Sequence, residues 1–399
     1  MKYKISIIIP VFNVENYIRK ALESIMSQTI GYEHLEVIMV DDCSTDKNSN
    51  IVDEYANKYE NFKAIHLSKN SGKAGKPKNI GIKTANTEYL MFLDADDYYT
   101  DDACEVLYKK IKEEDVDIVS SNYITVYENR TEFYQHFKNI DEIKVNTIHD
   151  EPRLLAASHM HWTKIYKRQF ILDNGIKFIE NIPNDDLVFV VNAFFEANGI
   201  IYLDKHFAVN YSRICESEGA ESVSRAKDMK TLKLMTYGYL ETFNLLKKYG
   251  KEEYFPIVFK EHLRFWANNF IISNATNTEK TELLKEIGIL FEEFNQYEVN
   301  PNDNYLIPFF SSVSNKEYDK AISISVSLKD LLIIKQILED KTFNLEKQLK
   351  TTLDEKNSLQ EQLNISKEEL SKNLTTIGYF KYKSKNIVTR TKNKFNKRS

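Results

Sequence analysis

Three carboxylates close a short apolar run in the segment Tyr89-Leu-Met-Phe-Leu-Asp-Ala-Asp-Asp-Tyr98. Crowded together, Asp94, Asp96 and Asp97 repel one another unless positive charge joins them, and a hard divalent cation with phosphate oxygens is the usual partner. One chemistry for this segment is therefore a clamp for a metal and a nucleotide. The other is a polar turn in which Asp97 caps the next helix, because residues 97–102 also resemble a helix start. The triad by itself leaves the two readings even.

Further polar groups punctuate the same half of the chain. Asp41-Asp42 follows an apolar run, and a carboxylate there can accept from a base N–H or a ribose hydroxyl. The loop Asn70-Ser-Gly-Lys-Ala-Gly-Lys-Pro-Lys-Asn79 sets Gly72 and Gly75, which allow close backbone approach, beside Lys73, Lys76 and Lys78, which suit phosphate. It is neither a Gly-x-Gly-x-x-Gly nor a P-loop sequence. Phe12 is placed to stack on a base or to pack. Asp185-Asp186 opens an apolar helical run, as a cap or as the general base that a transfer reaction needs. His159 and His161 flank Met160 without a third ligand at zinc spacing and read as structural or acceptor-lining.

These groups need elements to hold them. Ile5–Val11, Glu36–Val40, Lys63–Leu67 and Tyr89–Leu93 read as buried strands, linked by amphipathic helices that include one with Ile18, Leu22, Ile25 and Met26 on a single face. Alternation with short links predicts a parallel, doubly wound α/β sheet. Every polar cluster then falls at the carboxyl end of a strand, where open α/β sheets bind ligands. That convergence favours the clamp over the cap. A helix over 103–113, strands over 117–122 and from 199 toward 212, and a helix over 187–195 follow, then a helical, aromatic-rich region to about 325.

The 399 residues carry a formal net charge of −5 and 42% hydrophobic residues, enough for two or three domains with a sizeable core. Three cysteines without metal-ligand spacing fit a reducing compartment. No stretch approaches the ~20 apolar residues of a membrane span. Nothing in the body of the chain suggests a nucleic-acid partner. A cytoplasmic protein is expected, peripheral at most on the inner face of the plasma membrane.

Val11-Phe-Asn13, Val40-Asp-Asp-Cys-Ser-Thr-Asp46, the 70–79 loop, Leu93-Asp-Ala-Asp-Asp97 and Asn184-Asp-Asp186, in that order, resemble the motifs of family 2 glycosyltransferases with a GT-A fold. Within that family the wording is most similar to wall-teichoic-acid GlcNAc transferases. The resemblance spans roughly residues 3–225 and implies a Rossmann-like catalytic domain over 1–225. It also implies inverting transfer of a sugar, GlcNAc or another hexose, from a UDP-sugar to a surface glycopolymer such as teichoic acid, with Mn2+ or Mg2+. By resemblance Pro10, Phe12, Asp42, Asn70 and Asp94 hold the uridine, Lys78, Arg213, Ser222 and Ser224 serve donor binding, Asp96 ligates the metal, and Asp186 is the base. Lys78 stands where the family often has Arg, which keeps the charge and loses the bidentate fork. The segment 211–225 is longer than the pattern and lacks its His. Capsule or lipid-linked saccharide acceptors are alternatives, and a catalytically silent scaffold is the non-enzyme reading.

The rest lies outside the resemblance. A helical domain is expected over 226–330. From Leu338 to Leu370, Leu345, Leu349, Leu359 and Leu363 also fall at heptad positions, with Thr342, Thr352, Lys356 and Ser366 interrupting the seam. This predicts a coiled coil over 331–375 that makes a homo-oligomer, with a single-chain helical hairpin as the alternative. A tail over 376–399 follows. From Lys381 onward it carries eight Lys/Arg and no acid, suiting anionic lipid or a phosphate-rich polymer.

Overall fold

The computed structural model describes residues 2–128, 130–137, 140–157, 159–213, 228–294 and 301–395. Strands β1 (Ile5–Val11), β2 (Leu35–Asp41), β3 (Phe62–His66) and β4 (Tyr89–Phe92) alternate with helices α1 (Ile18–Met26), α2 (Asn48–Lys58) and α3 (Gly75–Thr84). All four strands run parallel, with Ile5 opposite Leu35 on one side of β1 and Tyr89 on the other. Ile7, Ile8, Ile9, Val37, Ile38 and Leu90 are inaccessible to solvent, as the β-branched runs of a sheet covered on both faces should be. Helix α3 lies close on β1. A Cβ at Gly81 would sit 2.3 Å from Ile8 Cγ2, so no larger residue fits there without a shift.

Beyond β4 the sheet departs from the parallel expectation. The chain continues through β5 (Tyr98–Tyr99), α4 (Ala103–Glu114), β6 (Ile118–Val126), β7 (Thr131–Tyr134), β8 (Glu142–Val145), β9 (Lys164–Lys167), α5 (Asp185–Glu196) and β10 (Ile200–Ser212). The strand order is β3-β2-β1-β4-β9-β6-β10-β5, with β7 beside β6 and β8 beside β10. Strand β9 runs antiparallel to both β4 and β6, setting Tyr166 opposite Leu90 and Ile118. Between β6 and β9 the chain makes antiparallel excursions instead of a single crossover helix, so a return in the opposite sense is open to it. Register shifts between Leu203 and Val209 break the long β10, whose far end pairs with β5.

Four more helices follow: α6 (Met229–Lys248), α7 (Phe255–Ile272), α8 (Asn277–Phe294) and α9 (Ile307–Ser314). Their core is aromatic, as expected. Trp266 is fully buried, stacks on Phe270 and donates its indole N–H to Thr236 Oγ1 at 2.9 Å. Met1–Leu332 form one compact unit and Ile333–Ser399 a second. The last element is α10 (Tyr318–Phe395), 78 residues without a break. It runs on through most of the basic tail and contains no reversal, so the hairpin alternative does not form. Leu338, Leu345, Leu349, Leu359 and Leu363 are exposed along it. No helix among the described residues is long and apolar enough to cross a membrane.

Candidate active site

The carboxyl ends of β1, β2 and β4, the start of α3 and the start of α5 surround one cavity of about 320 Å³. Its walls include Pro10, Phe12, Asp42, Lys73, Lys78, Asp94, Asp96, His161, Asp185 and Asp186. Local backbone chemistry sets the nucleoside end. Asn13 adopts φ 51°, a left-handed conformation that Asn tolerates, and its Oδ1 accepts the Thr45 N–H at 2.8 Å. This ties the Phe12 turn to the Asp-Asp-Cys-Ser-Thr turn and leaves Phe12 46% exposed, unusual for packing and suited to stacking. Asp42 holds the glycine–lysine loop, accepting from Ser71 N at 2.8 Å and Ser71 Oγ at 2.9 Å. Asn70 donates to the Asp42 carbonyl at 3.0 Å and accepts from Gly72 N at 2.7 Å. Asn70 therefore shapes the loop, and it is not among the residues lining the cavity.

The other end is electrostatic. Lys78 is 2% exposed and its Nζ lies 2.7 Å from Asp185 Oδ2, with the ammonium 4.4 Å above the Phe178 ring. Burial opposes its charge, but Asp185, Asp94 and Asp186 together hold its pKa above the usual lysine value. The close approach depends on glycine. A Cβ at Gly75 would lie 2.5 Å from the Ile179 carbonyl oxygen and 3.3 Å from Asp185 Oδ2. Asp185 and Asp186 open α5, where the helix dipole favours negative charge. Burial first, then Asp185, pushes the Asp186 carboxyl upward, with Lys78 acting against them. Burial lifts Asp94 to about 7, and Asp96, Asp185 and Asp186 add to the rise while Lys78 opposes it. Burial likewise raises Asp96.

Asp97 corrects the capping expectation. It is 2% exposed and accepts the Ser212 N–H at 2.7 Å, fastening the end of β10 to the carboxylate turn. Helix α4 starts after Asp102 instead. Arg213 follows that tether, and its Nη1 donates to the Tyr211 hydroxyl at 2.9 Å. It is not among the residues lining the cavity. Ser222 and Ser224 lie outside the described residues. Two wall residues stand in arrangements that the sequence pattern does not reveal. Asp185 is visible in the sequence as half of an acid pair, but its partnership with Lys78 joins two helix starts 107 residues apart. His161 reads in sequence as a structural or acceptor-lining group.

A divalent cation is the implied cofactor. Among the described residues no three His, Cys, Asp or Glu side chains are grouped to hold a metal by themselves. Asp94 and Asp96, whose charge burial disfavours, fit a cation that takes its remaining ligands from nucleotide phosphates and water, as Mg2+ commonly does.

Residues 6–171 match the family model "Glycosyl transferase family 2". This part of the chain is a family 2 glycosyltransferase domain. The chain is 28% identical over 290 residues to the poly(ribitol-phosphate) beta-N-acetylglucosaminyltransferase TarS of Staphylococcus aureus, covering 71% of this chain and 48% of that protein. It is 34% identical over 205 residues to the poly(ribitol-phosphate) beta-glucosyltransferase of Bacillus spizizenii, covering 49% and 30%. The crystal structure of S. aureus TarS 1–349 in complex with UDP-GlcNAc superposes with a TM-score of 0.63 at 25% identity, covering 82% of this chain and 92% of that one. The chain spans about half or less of the length of these two curated relatives. The glycosyltransferase domain thus carries the cavity from Pro10 to His161, and Asp185 and Asp186 complete it from beyond the matched residues.

The raised Asp94 carboxyl makes a signed prediction. The native state binds its proton more tightly than the unfolded chain, so stability from this group is lost as pH rises from about 4 through about 7. Asp94→Asn should therefore gain on the parent across that interval. Denaturant midpoints at pH 4.5 and 7.5 measure this, and a difference that stays constant or reverses would refute the assignment.

Proposed function

We propose that this chain transfers a sugar, with inversion, from a UDP-sugar to a hydroxyl of a bacterial surface glycopolymer of the polyol-phosphate kind, GlcNAc or glucose being the transferred unit. The observation that carries the reading is the convergence of a stacking Phe12, the carboxylates Asp42, Asp94 and Asp96, and the acid Asp186 on one cavity. The UDP-GlcNAc bound by the TarS neighbour and the poly(ribitol-phosphate) acceptors named for both relatives support the donor and acceptor classes.

The roles follow from position. Pro10, Phe12 and Asp42 hold the nucleoside, with Asn70 keeping the loop against Asp42. Asp96, with Asp94 beside it, would hold Mn2+ or Mg2+, which when bound neutralises charge on the departing diphosphate. Asp186 accepts the proton of the acceptor hydroxyl as that oxygen bonds to the anomeric carbon and the bond from that carbon to the diphosphate oxygen breaks, releasing UDP. Its raised pKa brings it nearer to neutral pH, where a general base works best. Lys78 compensates Asp185, which lets the two acids stand side by side at the start of α5. Arg213, at the end of β10, is assigned to the diphosphate, as are Ser222 and Ser224.

Asp186→Asn should bind UDP-sugar within about twofold of the parent yet transfer roughly 10²–10⁴-fold more slowly. Asp96→Ala should abolish Mn2+-stimulated donor hydrolysis. Calorimetry and a UDP-release assay read both, and full turnover by either variant would remove its residue from the mechanism.

Helix α10 is assigned to self-association. Leu338, Leu345, Leu349, Leu359 and Leu363 recur at heptad spacing and stand 48–70% exposed, a stripe that a second copy would cover. Several catalytic heads on one polymer would gain avidity. Truncation after Leu332 should lower the mass in solution by light scattering while donor hydrolysis persists; an unchanged mass would argue against the helix as the oligomerising element.

A further inference from the structure

His161 has an environment that the roles above do not use. It is 2% exposed, it lines the cavity, and neither ring nitrogen has a hydrogen-bond partner. Buried polar groups in native proteins are normally paired, so an orphaned imidazole at a cavity wall points to a partner supplied by the ligand. The ring is also fixed. It packs edge-on against Phe92 and Phe178, with centroids 5.3 and 5.2 Å away. Its Nε2 lies 3.9 Å from Asp94 Oδ1. That is too long for a direct hydrogen bond, but a hydroxyl oxygen at ~2.8 Å from each atom would fit between them. Such a hydroxyl would donate to the carboxylate and accept from the imidazole N–H.

The side of the cavity identifies which hydroxyl. The Phe178 ring that supports His161 also lies under Lys78, which pairs with Asp185 at the start of α5. Through Phe178, His161 is therefore grouped with Lys78 and Asp185 at the start of α5. Burial, with Lys78 and Lys164 nearby, keeps the ring neutral, so it offers one donor and one acceptor.

We propose that His161 and Asp94 jointly hold one hydroxyl of the transferred sugar, making His161 a donor-reading residue of this site. The inference rests on the glycosyl-transfer reading and adds a sugar contact to it. Unlike a charged residue, a neutral imidazole paired with a carboxylate reads a hydroxyl by direction. An epimer that turns the hydroxyl away would leave both groups unpaired again.

The test is binding, which needs no turnover. His161→Phe keeps the packing against Phe92 and Phe178 and removes the N–H. Calorimetry with UDP-GlcNAc and with UDP, both with Mn2+, should show about tenfold weaker UDP-GlcNAc binding and unchanged UDP binding. His161→Gln, whose amide nitrogen can donate, should recover most of the loss. Equal weakening of both ligands would move the contact to the ribose and overturn the proposal, as would no weakening of either. UDP release by the parent chain is measured separately: failure there would sink the transfer reading, whereas parent turnover with a silent His161→Phe would sink only this one.

Discussion

Three carboxylates bear on one buried ammonium. Asp94, Asp185 and Asp186 all act on Lys78, which compensates Asp185 directly and leaves negative charge to spare in a poorly solvated cavity. Interactions between charges are strong where water is excluded, so this surplus cannot be ignored. Burial first, and then this surplus, raises the carboxyls of Asp94 and Asp186, the surplus keeps the lysine protonated, and in the proposed mechanism a cation carried in with a diphosphate would be the complementary ligand. The same imbalance gives the acids different work. Asp185 is tied to Lys78 through an ion pair, while burial lifts the carboxyl of its neighbour Asp186.

Holding such a cluster together requires close backbone approach and rigid support. Gly75 lets the start of α3 come against Ile179 and Asp185, and Gly81 lets the same helix rest on β1. At Gly238, on α6, a Cβ would fall 2.5 Å from the Asn184 side chain, just ahead of the acid pair. The helical region thus braces the segment that delivers Asp185 and Asp186, and residues far from the cavity in sequence fix the position of this acid pair. Beneath the acids, Phe178 stacks on Phe189 at 3.9 Å and meets Phe92 edge-on, an apolar floor that excludes water from one side.

Much of this was legible from residue types because the signals are local. β-Branched runs that end in Asp, Asn and Gly named four strands and put their polar ends at one edge, and that alone placed Pro10, Phe12, Asp42, Asp94 and Asp96 on one cavity. What escaped was non-local. The antiparallel β9 depends on where the chain returns after β7 and β8, and no short window of sequence encodes that. Asp97 has the look of a helix cap, yet it serves Ser212 on a strand 115 residues away. His161 sits in an ordinary polar stretch, and only packing against Phe92 and Phe178 shows that its nitrogens are buried, fixed and unpaired.

In the proposed mechanism the carboxylates form half of a metal site and the nucleotide diphosphate supplies the other half. Titration of Mn2+ followed by electron paramagnetic resonance, with and without UDP, tests this directly. The free-ion signal should fall only slightly with protein alone and strongly once UDP is present, with the effect lost in Asp96→Ala. Tight Mn2+ binding without nucleotide, or no binding with it, would contradict a metal site shared between the carboxylates and the diphosphate.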